Sequence, residues 1–214
     1  MAILSIDSVD WAKFSLAKSG RTIKLLYDKE PVKFCTATLY SPFGIKSVDK
    51  EWYNFLEYSI DTSTCSTESS EKFTYFIQKL DETIQGLVDE NLALFNTGKV
   101  NASADYDYCP IFKSNGNYPK LMKLLFTRDK NGNFESFVFD NQKNKITLNE
   151  NDLLQTIPKG QRFKSIIECT KVWYYNGKVG SIWNIVQLKL GAKEVKTSPQ
   201  KDTPQVDYTK LLID

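Results

Sequence analysis

The sequence predicts a mainly β domain, a small Greek-key barrel or sandwich, with one long α-helix inserted. Three observations carry that expectation. Short runs rich in Val, Ile, Phe and Tyr recur between Gly, Pro, Asn and Asp. Two Asn-Gly dipeptides stand between such runs, and a single stretch has helical rather than alternating apolar spacing.

The extended runs are 21–27, 32–40, 52–60, 121–126, 134–139, 163–175 and 182–190. Run 32–40 ends in Ser41-Pro42-Phe43-Gly44, a turn whose nearby rings, Tyr40 and Phe43, would plug the end of a barrel or else face a ligand. The helix is expected over 71–95, where Phe73, Phe76, Ile77, Leu80, Ile84, Leu87, Val88, Leu92 and Phe95 make one apolar face. Ser69 or Ser70 can cap its start, and Gly98 lies beyond its end. The segment Thr127 to Asn133 should join 121–126 to 134–139 as a hairpin, and Asn176-Gly177 should join 171–175 to 179–190. Residues 1–196 are expected to form one domain, with 197–214 as a flexible polar tail. That tail ends in apolar anchors able to dock on this chain, a second subunit or a partner.

A chain of 214 residues can bury a real core without disulfide or metal staples, and 41% hydrophobic with 25% charged residues is a globular composition. Its lack of His excludes Ser-His-Asp, Cys-His and His-liganded zinc chemistry. Cys35, Cys65, Cys109 and Cys169 form no metal or redox spacing, and Cys35 and Cys169 are expected to be buried thiols within strands. No basic leader and no apolar stretch of the ~18 residues that span a membrane is visible, so an intracellular protein with reduced thiols is expected.

The net charge of +2 conceals a segregation. Residues 51–112 carry 3 cations and 11 anions, whereas residues 113–196 carry 15 and 7. Lys outnumbers Arg 25 to 3, which favours contact with a phosphate backbone over reading of base edges.

The densest constellation is Lys171-Val-Trp-Tyr-Tyr-Asn-Gly-Lys-Val-Gly-Ser-Ile-Trp-Asn-Ile-Val-Gln-Leu-Lys189. Alternation puts Lys171, Trp173 and Tyr175 on one face. In the second strand, Val186, Leu188 and Leu190 make the expected core face and leave Trp183, Gln187 and Lys189 outside. Rings that stack bases and lysines that neutralise phosphates would make a single-stranded nucleic-acid platform, extended by Arg162, Lys164 and Lys178. For either tryptophan alone, a place in the core is equally compatible with the pattern. Asp105 and Asp107 have the spacing of a metal-binding pair without a third ligand, so a solvated loop is the better reading. No glycine-rich phosphate cradle is present.

The segments Ala37-Thr-Leu-Tyr-Ser-Pro-Phe-Gly-Ile45 and Lys171 to Gln187, separated by a helix, resemble the single-stranded DNA-binding proteins of nucleocytoplasmic large DNA viruses. These in turn resemble the corresponding replication protein of short-tailed phages. The resemblance implies an OB-fold with extra strands, and non-sequence-specific binding of single-stranded DNA in replication, recombination or repair. It implies no catalysis and no cofactor or metal. The DNA-facing aromatics would be Trp173, Tyr175 and Trp183, with Tyr40 and Phe43 as further candidates, and Lys171, Lys178 and Lys189 would contact phosphates. A replicative polymerase or helicase and a second copy of the chain are the implied partners, and no membrane is; the site of action would be the cytoplasmic or nuclear site of viral DNA replication. The phage-type acidic tail with a terminal aromatic has no counterpart in the ending Leu-Leu-Ile-Asp214. Two other readings remain open at this point: a β-sandwich assembly protein with buried aromatics, and a metal-dependent nuclease built on Asp105 and Asp107.

Overall fold

The computed structural model describes residues 3–48, 57–65, 67–96 and 101–192. Among them the strands are β1 (Phe14–Ser19), β2 (Thr22–Tyr27), β3 (Glu30–Pro31), β4 (Lys33–Cys35), β5 (Leu39–Tyr40), β6 (Ile45–Val48), β7 (Glu57–Thr64), β8 (Asp107–Cys109), β9 (Phe112–Asn115), β10 (Tyr118–Phe126), β11 (Phe137–Phe139), β12 (Lys145–Ile146), β13 (Arg162–Tyr175) and β14 (Lys178–Leu190). Helix α1 (Glu68–Glu90) lies between β7 and β8, and the short α2 (Glu150–Thr156) between β12 and β13. The expected tail 197–214, Gly98, and positions 52–56 of the expected run 52–60 lie outside the described residues.

Five strands close a ring: β5 pairs with β7, β7 with β10, β10 with β14, β14 with β13, and β13 with β5. Every pairing is antiparallel except β10 with β14, so the chain forms a five-stranded Greek-key barrel of the OB type. Closure leaves no sandwich of two separate sheets. The remaining strands extend the ring, with β1 and β2 prolonging it beside β13.

The expected run 32–40 is interrupted at 36–38, between β4, which pairs with β13, and β5, which pairs with both β13 and β7. Phe34 and Cys35 pair with β13, whereas Ile45 to Val48 pair with β7, so this part of the chain must turn from one neighbour to the other. The corner falls at Ser41 to Gly44, where the Gly44 amide donates to Ser41 Oγ at 2.9 Å and the Ser41 carbonyl accepts from the Gly160 amide at 2.6 Å. Because strand direction there is set by Phe34 facing the core, Cys35 points outward and is exposed, contrary to the expected buried thiol. Cys169 is buried as expected, and burial pushes its thiol pKa up to about 12.

Two turns predicted from Asn-Gly had different outcomes. Asn176 and Gly177 take φ of 49° and 69° between the paired residues Tyr175 and Lys178, a two-residue hairpin turn that needs both left-handed positions. The segment around Asn131-Gly132 forms a local turn, with Arg128 bridging Phe134, but its flanks do not become a hairpin. Instead β10 and β11 both run parallel to β14, one beyond the other. Long β14 offers each of them a ladder, which outcompetes their pairing with one another.

Helix α1 begins earlier than expected because Thr67, rather than Ser69 or Ser70, caps it: its Oγ1 accepts from the Ser70 amide at 3.2 Å. It ends at Glu90 and continues as a 3-10 turn over Leu92–Phe95. Its apolar face meets Phe34, whose ring lies 6.2 Å from Phe73, 4.9 Å from Phe76 and 5.1 Å from Trp183. Tilted and edge-to-face aromatic pairs of this kind add about 0.5–1.5 kcal/mol each beyond their buried area. On the flank of α1, Tyr106 donates to Asp89 Oδ1 and Tyr108 to Asp81 Oδ1, both at 2.7 Å. These bonds tie β8, and through it the edge of β14, to the helix.

Candidate nucleic-acid interface

The hairpin β13–β14 is much longer than one barrel wall requires. Its two strands are out of simple alternation at two places, between Ile166 and Ile167 and between Cys169 and Lys171. In the first, Val186 is the extra residue of β14; in the second, Thr170 is the extra residue of β13. Each bulge moves the residues beyond it to the other face. This corrects the expected position of Trp183. Counting back from Leu188 without a bulge places Trp183 outside, but the extra Val186 brings Ile185 and Trp183 into the core. Trp183 is only 2% exposed, packs at a tilt against Phe34, and donates its indole N–H to Ser181 Oγ at 2.8 Å. Its ring is part of the core and shows only an edge to the cavity beside Trp173. Val186 and Leu190, expected in the core, are half-buried, and Leu188 is buried.

The other predicted residues form an outward stripe with two ends. At the hairpin tip, Lys171, Trp173 and Tyr175 share the face opposite buried Val172, and Lys178 pairs with Tyr175 across the ladder. Tyr175 is 67% exposed. At the base, Lys164 pairs with Lys189, Ile166 with Gln187, and Arg162 with Tyr40 of β5. Phe43, at the barrel corner, is 48% exposed with the Lys46 ammonium 4.7 Å from its ring centroid. It does not plug the barrel. Eleven residues separate the two ends along β13, roughly 36 Å at the rise of a strand.

Each end carries residues that sequence reasoning did not single out. Trp173 lines a cavity of about 260 Å³ with Lys113, Lys123, Leu125 and an edge of Trp183, and Glu57 adds a carboxylate to its wall. Lys113 and Lys123 come from β9 and β10, brought beside the hairpin only because β10 pairs with β14. At the base, Phe137 pairs with Gln187 and Phe139 with Lys189, which adds two rings beside the basic pair. Their signal in the sequence was only the regional surplus of Lys.

Lys164 and Lys189 stand directly opposite one another, an arrangement that costs stability in a free protein. No ion pair involves either of them among the described residues. Glu168 lies on this same face between Ile166 and Lys171, where Lys33 of the neighbouring strand β4 neutralises it at 2.9 Å. Asp105 and Asp107 are exposed, and among the described residues no three His, Cys, Asp or Glu groups converge on a possible ion site. Also among the described residues, no helix is long and apolar enough to cross a membrane.

No family model and no curated protein matches this chain. Solved structures do. The single-stranded DNA-binding protein of bacteriophage Enc34 in complex with single-stranded DNA aligns with 13% identity and a TM-score of 0.46, covering 85% of this chain and 97% of the phage chain. A C-terminal truncation of the same phage protein gives 14% and 0.47, covering 86% and 97%. The single-stranded DNA-binding protein gp2.5 of bacteriophage T7 gives 15% and 0.49, covering 77% and 91%.

Proposed function

We propose that this chain binds single-stranded DNA without sequence preference, along the outer stripe of the β13–β14 hairpin. The observation that carries the reading is the alignment of Trp173, Tyr175, Lys171 and Lys178 with Lys164, Lys189 and Arg162 on one outward strand face of a closed barrel. Exposed rings stack bases of any identity, and flexible ammonium groups neutralise phosphates without reading base edges. The like-charged pair Lys164–Lys189 has a physical rationale in this setting, since a phosphate placed between two ammonium groups relieves their repulsion. The acidic segment of the chain is centred on α1, and such a face repels a polyanion and favours a single orientation of the strand.

The motif resemblance extends the proposal to DNA replication, recombination or repair of a viral type, without catalysis. A polymerase or helicase and a second copy of the chain are candidate partners, and the tail 197–214 is a candidate docking segment. The test is a tryptophan-fluorescence titration with single-stranded DNA, double-stranded DNA and RNA oligomers at two salt concentrations. Quenching of the half-buried Trp173 by single-stranded DNA, with affinity falling steeply as salt rises, is expected. Unquenched fluorescence and no binding at low salt would remove the proposal.

A further inference from the structure

A wide groove of the described molecule lies away from the tip of the hairpin. It has a volume of about 780 Å³ and lies between the 128–134 turn and the strand pair β11–β12, beside the base of the stripe. We infer that this groove is a second contact site for single-stranded DNA, in which Phe137 stacks a base while Lys145 and Lys130 hold the neighbouring phosphates. The inference rests on the single-stranded DNA reading above and adds a path for the strand after it leaves Lys164 and Lys189.

Phe137 is 48% exposed and lines the groove. Its ladder partner is Gln187, so Phe137 stands between the groove and the base of the stripe. The Lys145 ammonium rests 4.7 Å from the Phe137 centroid. Stacking a base is worth more than an exposed cation–π contact, so the base takes the ring and Lys145 swings on its flexible stem to a phosphate. The turn that lines the groove and the turn that joins β11 to β12 are built alike. Asp129 Oδ1 accepts from the amides of Asn131 and Asn133 at 2.8 and 2.9 Å, and Asp140 Oδ1 accepts from those of Gln142 and Asn144, both at 2.8 Å. Neither carboxylate lines the groove, which Lys130 and Lys145 face; Asp140 also feels the charge of Lys189. An aromatic floor with cationic rims fits a polyanion with splayed bases, whereas an acidic or wholly apolar partner would leave one of the two features unmatched.

Phe137 and Trp173 lie at ladder positions seven residues apart on β14, roughly 23 Å, so a short oligomer can occupy one end while a long one reaches both. The test is a fluorescence-anisotropy titration of the full chain with oligo-dT of about four and about sixteen nucleotides, comparing wild type, Trp173→Ala, Phe137→Ala, Phe137→Tyr and Lys145→Gln. Phe137→Ala should weaken the long oligomer about five- to a hundred-fold, leave the short one nearly unchanged, and be rescued by Phe137→Tyr. Lys145→Gln should lower the salt dependence by about one phosphate contact. Thermal unfolding checks that each variant is folded. A folded Phe137→Ala with wild-type affinity for the long oligomer, alongside a weakened Trp173→Ala, would overturn this inference alone. A wild-type chain that binds neither oligomer would overturn both readings.

Discussion

Trp173 lies across the bare Cα of Gly180, its partner on the opposite strand: a Cβ built on Gly180 would stand 2.6 Å from Trp173 Cζ2. Only a residue without a side chain leaves the indole flat against the hairpin, with its remaining surface turned to the cavity shared with Lys113 and Lys123. Gly180→Ala is therefore expected to lift the ring while sparing the fold. Trp173 emission should shift and affinity for oligo-dT should fall by about the 1–3 kcal/mol lost on Trp173→Ala. Unchanged emission and affinity would show that the close approach is not needed.

Trp183 should behave in the opposite way. Its ring fills the space between the barrel and α1, so Trp183→Ala is expected to cost about 3–5 kcal/mol of stability by leaving a cavity beside Phe34. Denaturant unfolding measures this. A folded Trp183→Ala of normal stability but weakened DNA binding would return the residue to the surface and contradict its burial.

Removing charge at the base of the stripe separates binding from folding. Lys189→Gln should reduce the salt dependence of DNA binding by about one phosphate contact. It should leave the free protein about as stable as wild type, because the lost repulsion from Lys164 offsets the lost attraction to Asp140. Salt titrations of affinity and thermal unfolding without DNA give the two readouts.

The anchor between α1 and β8 predicts a pH dependence of stability. Burial raises the Asp81 carboxyl from its ordinary 3.8 to about 6, against the opposing effects of the bond from Tyr108, the Ile111 amide and the Lys120 charge. With the pKa raised on folding, the folded state holds the extra proton between about pH 4 and 6, so this group's contribution falls as pH rises through that window and is constant above it. The total is about 3 kcal/mol as an order of magnitude. Asp81→Asn should remove that slope, so urea unfolding of variant and wild type at pH 4, 5, 6 and 7 should show the variant gaining relative stability with pH. Parallel curves would count against a buried, protonated Asp81.

Much of the architecture was legible along the chain because it is encoded locally. Helical apolar spacing marked α1 to within a few residues, and Asn176-Gly177 marked a hairpin turn with both positions left-handed, whereas Asp28-Lys29 makes the same kind of turn without a glycine to announce it. The outward face of Lys171, Trp173 and Tyr175 followed from alternation near that turn, where no bulge intervenes. The same alternation failed for Trp183, since the extra residue at Val186 has no signature in composition. It failed again at the 121–139 segment, where two runs fit for a hairpin each found a better partner in β14.

Fold class, regional charge and the residue types available for stacking and phosphate contact are thus properties of the chain itself, because periodicity and composition need no distant partner. Which side each ring faces, and that Lys113, Lys123 and Phe137 lie beside the hairpin, depends on register and ring closure. Those are long-range choices: a single inserted residue inverts a strand face, and a parallel pairing joins segments about sixty residues apart in sequence.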